Sequence, residues 1–237
     1  MTGGDPLCCP NIKIAIQALH NKAGIIVDTN GFLVTEEHLK LFKKYGVFVR
    51  VSIDSERPQV NQELRPSKNR DHCTLAAALK CVDLCLAQNI PVGIQTVITN
   101  KNLSDIASLF PKLIRLGVRG WRLLYLAKHS EFSDYESYKP NGKRFYRNIR
   151  DSLRVKSTGG SDEVMWVQVL HNSEPDAVIL VSPEGHFYTE QEGGKVILDE
   201  NSPSKPSLDS IKDTINRSAH LDRYLSIKEM PHVYVGK

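Results

Sequence analysis

Long apolar runs are missing from this chain of 237 residues. None approaches the ~18 residues that a membrane-spanning helix needs, and no basic-then-apolar leader opens the N-terminus. The expectation is a protein without a membrane span, placed in the cytoplasm. No block of lysine and arginine stands out, and 31 Lys+Arg against 27 Asp+Glu leaves a net charge of only +4. That balance gives no reason to expect a nucleic acid partner. Cysteine is sparse and odd in number: Cys8, Cys9, Cys73, Cys81 and Cys85. An odd set without a leader argues against a disulfide framework. GxGxxG, HExxH and an ordered Ser-His-Asp set are also absent, so dinucleotide, zinc-protease and hydrolase readings have no direct support. His20, His38, His72 and His129 show no ligand spacing, and no metal-ligating residue is assigned.

What is present is a repeated strand–helix text. "AGIIVDTNG", "VFVRVSID", "PVGIQTVIT" and "VRGWRLLYLA" read as strands. Between them lie helical stretches: "LCCPNIKIAIQALHNK", "TEEHLKLFKKYG", "SKNRDHCTLAAALKCVDLCLAQN" and "LSDIASLFPKLIRLG". In the second, Thr35 is a candidate N-cap and Gly46 the stop. Such alternation implies a parallel sheet with right-handed crossovers. The strands read as nearly continuous apolar runs covered on both faces, and "KRFYRNIRDSL" reads as one more helix.

After "KSTGGSDE" the pattern changes to short strands, with "SPEG" as a hairpin turn and "LDSIKDTINRSAHLDRYLSIK" as a final helix. Two domains are expected, 1–157 and 158–237. Cys81 and Cys85, at i and i+4 on one helix face, could hold a metal, but buried free thiols are the commoner reading of such a pair. Tyr135, Tyr138 and their neighbours Phe132 and Phe145 read as loop anchors that could also line a peptide groove.

The polar residues within this text fall at strand ends. "GGDP" opens the chain as a strand-to-helix turn, with glycines for close approach, Asp5 as a cap and Pro6 in the first turn. Thr29 and Asn30 end one strand, Ser52 and Asp54 the next, and Gln95, Thr99 and Asn100 lie on or after a third. In a parallel α/β fold all carboxyl ends share one face, where ligands bind. Hydroxyls, amides and carboxylates there suit a polar small molecule with an amine and a diol.

The ordered set "GGDP", "VDTNGFLV", "VRVSIDS", "GIQTVITNKNLSDI" and "RGWRLLYLA" resembles the core of radical S-adenosylmethionine (radical SAM) enzymes, over residues 2 to about 130. The resemblance implies a partial TIM-like (β/α) barrel with a small C-terminal hairpin-plus-helix extension. It implies reductive cleavage of S-adenosylmethionine at a 4Fe–4S cluster, giving a 5′-deoxyadenosyl radical that abstracts hydrogen from a substrate.

The same resemblance assigns the cofactor-binding roles. Gly3, Gly4 and Asp5 would meet the amino group of the methionine moiety, with Asp in place of the usual Glu. Thr29 and Asn30 would line the cleft. Ser52 and Asp54 would face the ribose and carboxylate, Gln95 the adenosine, and Arg65 of "ELRPS" the carboxylate.

"ILVSPEGHFYTEQEGGKVILDENSPSKPSLDSIKD" resembles the SPASM/twitch extension of peptide- and protein-modifying members, but without its cysteines. A peptide or protein substrate and a reductase partner are therefore implied for the parent enzyme. The family's CxxxCxxC cluster loop is not found upstream of GGDP. The first strands of the barrel are accordingly expected to be missing, and the sequence to be a fragment, a mis-started reading or a natural truncated form. Two functions follow as alternatives: a radical SAM enzyme, or a non-catalytic remnant that binds an adenosyl ligand or a protein partner.

Overall fold

The structure is a computed structural model that describes residues 4–67, 73–126, 134–140, 166–170, 180–181, 186–191 and 194–197. The first element is a 3-10 turn, Pro6–Cys8, capped by Asp5, whose carboxylate accepts the Leu7 N–H at 3.0 Å. Helix α1 (Ile12–Leu19) leads to strand β1 (Ile26–Thr29). Helix α2 (Glu36–Tyr45) begins on Thr35, whose hydroxyl oxygen accepts the His38 N–H. It carries Glu36 and Glu37 in its first turn and Lys43 and Lys44 in its last, and it stops at Gly46 with φ 61°. Each feature favours a helix: a capped first turn, charges that oppose the helix dipole, and a left-handed glycine.

Next come β2 (Phe48–Ser52), α3 (Pro58–Leu64), α4 (Thr74–Ala87), β3 (Val92–Ile98), α5 (Leu103–Arg115), β4 (Gly120–Tyr125), α6 (Tyr135–Tyr138) and β5 (Trp166–Leu170). The strands form one sheet in the order β1-β2-β3-β4-β5, every neighbouring pair parallel. Strand β5 lies past residue 158, so the first sheet extends beyond the boundary read from composition. A second, antiparallel sheet holds β6 (Leu180–Val181), β7 (Phe187–Gln191) and β8 (Gly194–Ile197). The expected helices near 143–153 and 208–228 lie outside the described residues.

Strand side chains alternate between faces. On one face of the first sheet stand Val27, Val49, Val51, Ile94, Ile98, Trp121 and Leu123, all buried. Leu39 and Phe42 of α2, Ala78, Val82 and Cys85 of α4, and Ile106, Leu109 and Leu113 of α5 complete this core. The Phe110 ring stacks on Trp121 at 6.3 Å between centroids. The other face differs from the expectation of strands that are apolar on both sides. The register sets Asp28 beside Arg50 and Gly93, and Ser52 beside Gln95, Arg122 and Gln168. This inner face is polar, as the concave side of a partial barrel can be when it lines a ligand space rather than a second helix layer. The alternation is hidden in the text because β-branched residues interleave with only one or two polar residues per strand.

Candidate functional site at the carboxyl ends of the strands

Asp5 ties the opening turn to the end of β1. Its Oδ2 accepts the Thr29 hydroxyl at 2.8 Å and the Asn30 N–H at 2.9 Å. Thr29 in turn accepts the Gly31 N–H, and Asn30 Oδ1 accepts the Phe32 N–H. Gly31 has φ +87°, and a Cβ there would stand 2.9 Å from Cys81 Cβ and 3.0 Å from the Ala77 carbonyl oxygen. The "TNG" turn is therefore pressed against α4 and has room for glycine alone. Gly4 is exposed, with open space where a side chain would stand. Gly3 lies outside the described residues.

Asp54 follows β2 and is held at every polar atom. Its N–H donates to Asn61 Oδ1 at 2.9 Å, and its carbonyl oxygen accepts Asn102 Nδ2 at 2.7 Å. Oδ1 accepts the Val97 N–H at 2.7 Å, extending the β2–β3 ladder through a side chain. Arg65, the C-cap of α3, faces both carboxylate oxygens: Nη2 donates to Oδ1 at 3.3 Å, and Nε makes an ion-pair contact with Oδ2 at 2.7 Å, off the hydrogen-bond line. Asp54 is only 3% exposed. Burial pushes its carboxyl up from the ordinary range, while the Arg65 guanidinium and the Val97 N–H pull the other way. The net direction is upward, because a carboxylate stripped of water loses more than one partly exposed cation returns.

Two buried asparagines hold this corner. Asn61 accepts the Asp54 and Ser55 N–H groups and donates to Thr74 Oγ1. Asn102 donates to the carbonyl oxygens of Asp54 and Val97 and accepts the Thr99 N–H at 2.8 Å. Ser55 donates to Asp105, which also receives Arg57 Nε. The strand-end text had flagged Thr99 but not Asn61, Asn102 or Asp105. Their signal in the sequence is an amide or acid placed just inside a helix or at its cap, facing a strand end.

Ser52 and Gln95 are register partners one row below Asp54 on the inner face. Asp28 and Arg50, which the sequence reading missed, form a bidentate pair one row lower still: Nε to Oδ1 at 2.5 Å and Nη2 to Oδ2 at 2.8 Å. The signal was available, since an Asp and an Arg each sit alone among β-branched residues at matching positions of adjacent strands. Helix α6 is anchored to the β3–α5 loop, where the Asn100 N–H donates to the Tyr138 carbonyl oxygen at 2.9 Å and Asn100 Nδ2 to that of Ser137 at 2.7 Å. Phe132 and Phe145 lie outside the described residues. A groove of about 420 Å3 between α4 and α5, lined by Leu75, Leu79, Leu109 and Leu113, opens on the opposite, helix-covered side. Among the described residues no group of three or more His, Cys, Asp or Glu could hold a metal ion. No helix of the described residues is long and apolar enough to cross a membrane.

Parallel strands whose carboxyl ends carry a glycine-aspartate turn, a "TNG" turn and a buried aspartate–arginine pair define an α/β protein with a polar cluster on the face where folds of this class bind ligands. Residues 1–110 match the Radical SAM superfamily. An uncharacterized protein of Methanocaldococcus jannaschii is 36% identical over 124 residues, covering 50% of this chain and 42% of that protein. The serine-type anaerobic sulfatase-maturating enzyme of Klebsiella aerogenes is 23% identical over 209 residues, covering 78% of this chain and 51% of the enzyme. The chain thus spans about half the length of these curated relatives. Among solved structures, Streptococcus suis SuiB bound to S-adenosylmethionine superposes with a TM-score of 0.55 at 14% identity, over 72% of this chain and 38% of SuiB. That likeness shows the fold, a partial barrel of the radical SAM kind.

Proposed function

We propose that this chain is the S-adenosylmethionine-binding part of a radical SAM enzyme, with Gly3, Gly4, Asp5, Thr29, Asn30, Ser52, Asp54, Arg65 and Gln95 around the cofactor. When bound and reduced through a 4Fe–4S cluster, the cofactor supplies a 5′-deoxyadenosyl radical for hydrogen abstraction. The observation that carries the reading is Arg65. Its Nη1 has no partner among the described residues, while Asp54 fixes the rest of the guanidinium at the strand ends. A cation so oriented suits the methionine carboxylate, and a charge-assisted hydrogen bond of this kind is about twice as strong as a neutral one. Asp5 acts by holding the opening turn against β1, so that the glycine backbone faces the methionine amine. Ser52 and Gln95 offer a hydroxyl and an amide without partners among the described residues, which suits a ribose and an adenine edge.

The described residues fit S-adenosylmethionine but provide no ligand set for an iron–sulfur cluster, and no step through a cluster is derived. The anaerobic sulfatase-maturating relatives, and SuiB solved with its precursor peptide, support a peptide or protein substrate; the one-electron donor follows only from the reductive cleavage proposed here. Calorimetric titration of S-adenosylmethionine into the 237-residue chain tests the reading. Saturable binding, weakened about tenfold by Arg65→Gln, is expected, because one charge-assisted bond is worth about 1.5 kcal/mol. No binding by a folded chain, or equal binding by the variant, would overturn it.

A further inference from the structure

We infer that Tyr138 is a positioning residue for Arg65: it latches the last turn of α3 to the carboxyl end of β3 through Glu63 and Lys101. That Arg65 meets S-adenosylmethionine rests on the function proposed above; the latch itself does not. Helix α3 needs such a tie. It has seven residues and no side-chain cap bond, and a helix that short is held by tertiary contacts rather than by its own ladder. Two bridges fasten its C-terminal end to β3. The inner one is buried. Asp54 Oδ1 accepts the Val97 N–H of β3 at 2.7 Å, and Arg65 Nε stands 2.7 Å from Oδ2. The outer one runs through α6. Asn100, two residues past β3, donates its N–H to the Tyr138 carbonyl oxygen at 2.9 Å and its Nδ2 to that of Ser137 at 2.7 Å. The Tyr138 hydroxyl then donates to Glu63 Oε1 at 3.3 Å.

Lys101 closes the latch. Its Nζ lies 3.2 Å from the same Glu63 oxygen and 5.7 Å from the centroid of the Tyr138 ring, where a cation is attracted to the ring face. Glu63 is thus gripped by a phenol and an ammonium, both fastened to the β3–α5 loop, and it stands two positions before Arg65 at the same helix end. Desolvation first, then the Glu63 carboxylate, hold the Tyr138 phenol above its ordinary pKa, so it remains a donor at neutral pH. A hydrogen bond to a carboxylate is the stronger, charge-assisted kind. Asn61 fixes the middle of α3. Beyond it, with the outer bridge cut, the helix end hangs on the Asp54–Arg65 contact alone. Freedom gained by that turn then passes to the guanidinium.

The test is a double-mutant cycle on the full chain, with S-adenosylmethionine binding read by calorimetry. Tyr138→Phe removes the donor to Glu63 and keeps the ring. It is expected to weaken binding about threefold in the wild-type background, the scale of one hydrogen bond. In the Arg65→Gln background it should change binding by less than a factor of about 1.5, because the two residues act as one unit. A residue that merely supports the fold gives the same loss in both backgrounds. Equal losses, or no loss in the wild-type background, would overturn the inference. Lys101→Met removes the other hold on Glu63 and should repeat the pattern. A second readout needs no ligand: the Arg65 Nε–H signal in a 1H–15N spectrum should move in Tyr138→Phe. If the wild-type chain does not bind S-adenosylmethionine, the proposed function falls and this signal decides the latch. A shift supports it, and an unmoved signal overturns it.

Discussion

Replacing Asn102 should cost more stability than its size suggests. The side chain is fully buried and makes four hydrogen bonds: to the carbonyl oxygens of Asp54 and Val97, and from the N–H and hydroxyl of Thr99. In Asn102→Ala the Thr99 hydroxyl can turn elsewhere, but one buried N–H and two buried carbonyls lose their partner. At about 1 kcal/mol or more for each orphaned group, the loss is about 3 kcal/mol. Asn102→Asp separates the hydrogen-bonding cause from loss of volume. It keeps the acceptor for Thr99 but sets a carboxylate oxygen against two carbonyl oxygens. Burial and those neighbours raise its folded pKa above the unfolded value of about 3.9. A raised carboxyl contributes stability that is present below the unfolded pKa and lost as pH rises through the folded one. Asn102→Asp should therefore be as damaging as Asn102→Ala at pH 7 and recover on acidification, while Asn102→Ala does not. Urea unfolding followed by the fluorescence of buried Trp121, in a Trp166→Phe background, reads both. A loss under about 1 kcal/mol in Asn102→Ala, or parallel pH profiles, would refute the reasoning.

Gly31→Ala adds the strain of a positive φ to a Cβ 2.9 Å from Cys81 Cβ, for an expected loss of about 3 kcal/mol in urea unfolding; a loss within experimental error would show that α4 moves aside freely. Asp54, with its carboxyl raised by burial, should make wild type gain stability relative to Asp54→Asn as pH falls from 7 toward the unfolded value of about 3.9. Unfolding measured at several pH values checks the sign, and a relative loss on acidification would mean that Arg65 outweighs burial.

The repeating strand–helix order was legible because apolar runs, caps and glycine stops act locally. Thr35, Gly46 and the Asp5–Pro6 turn all stand where their chemistry placed them. The polar inner face was not legible, because strand pairing decides it. Asp28 and Arg50 are 22 residues apart in sequence and meet only through the parallel β1–β2 register. The asparagine corner was missed for the same reason: Asn102 reaches Asp54 across 48 positions. Residues at the strand ends could be picked out because a parallel fold gathers all its carboxyl ends whatever the register. Helix α3 was passed over, since seven residues with no side-chain cap bond give little periodic signal.

The central claim is that the strand ends of β1 to β3 hold S-adenosylmethionine. A crystal structure of the chain grown with S-adenosylmethionine tests it most directly. The account predicts the methionine carboxylate on Arg65, the amine at the Gly4–Asp5 turn, and the nucleoside alongside Ser52 and Gln95. Cofactor seated instead in the groove between α4 and α5, or away from Arg65 altogether, would contradict it.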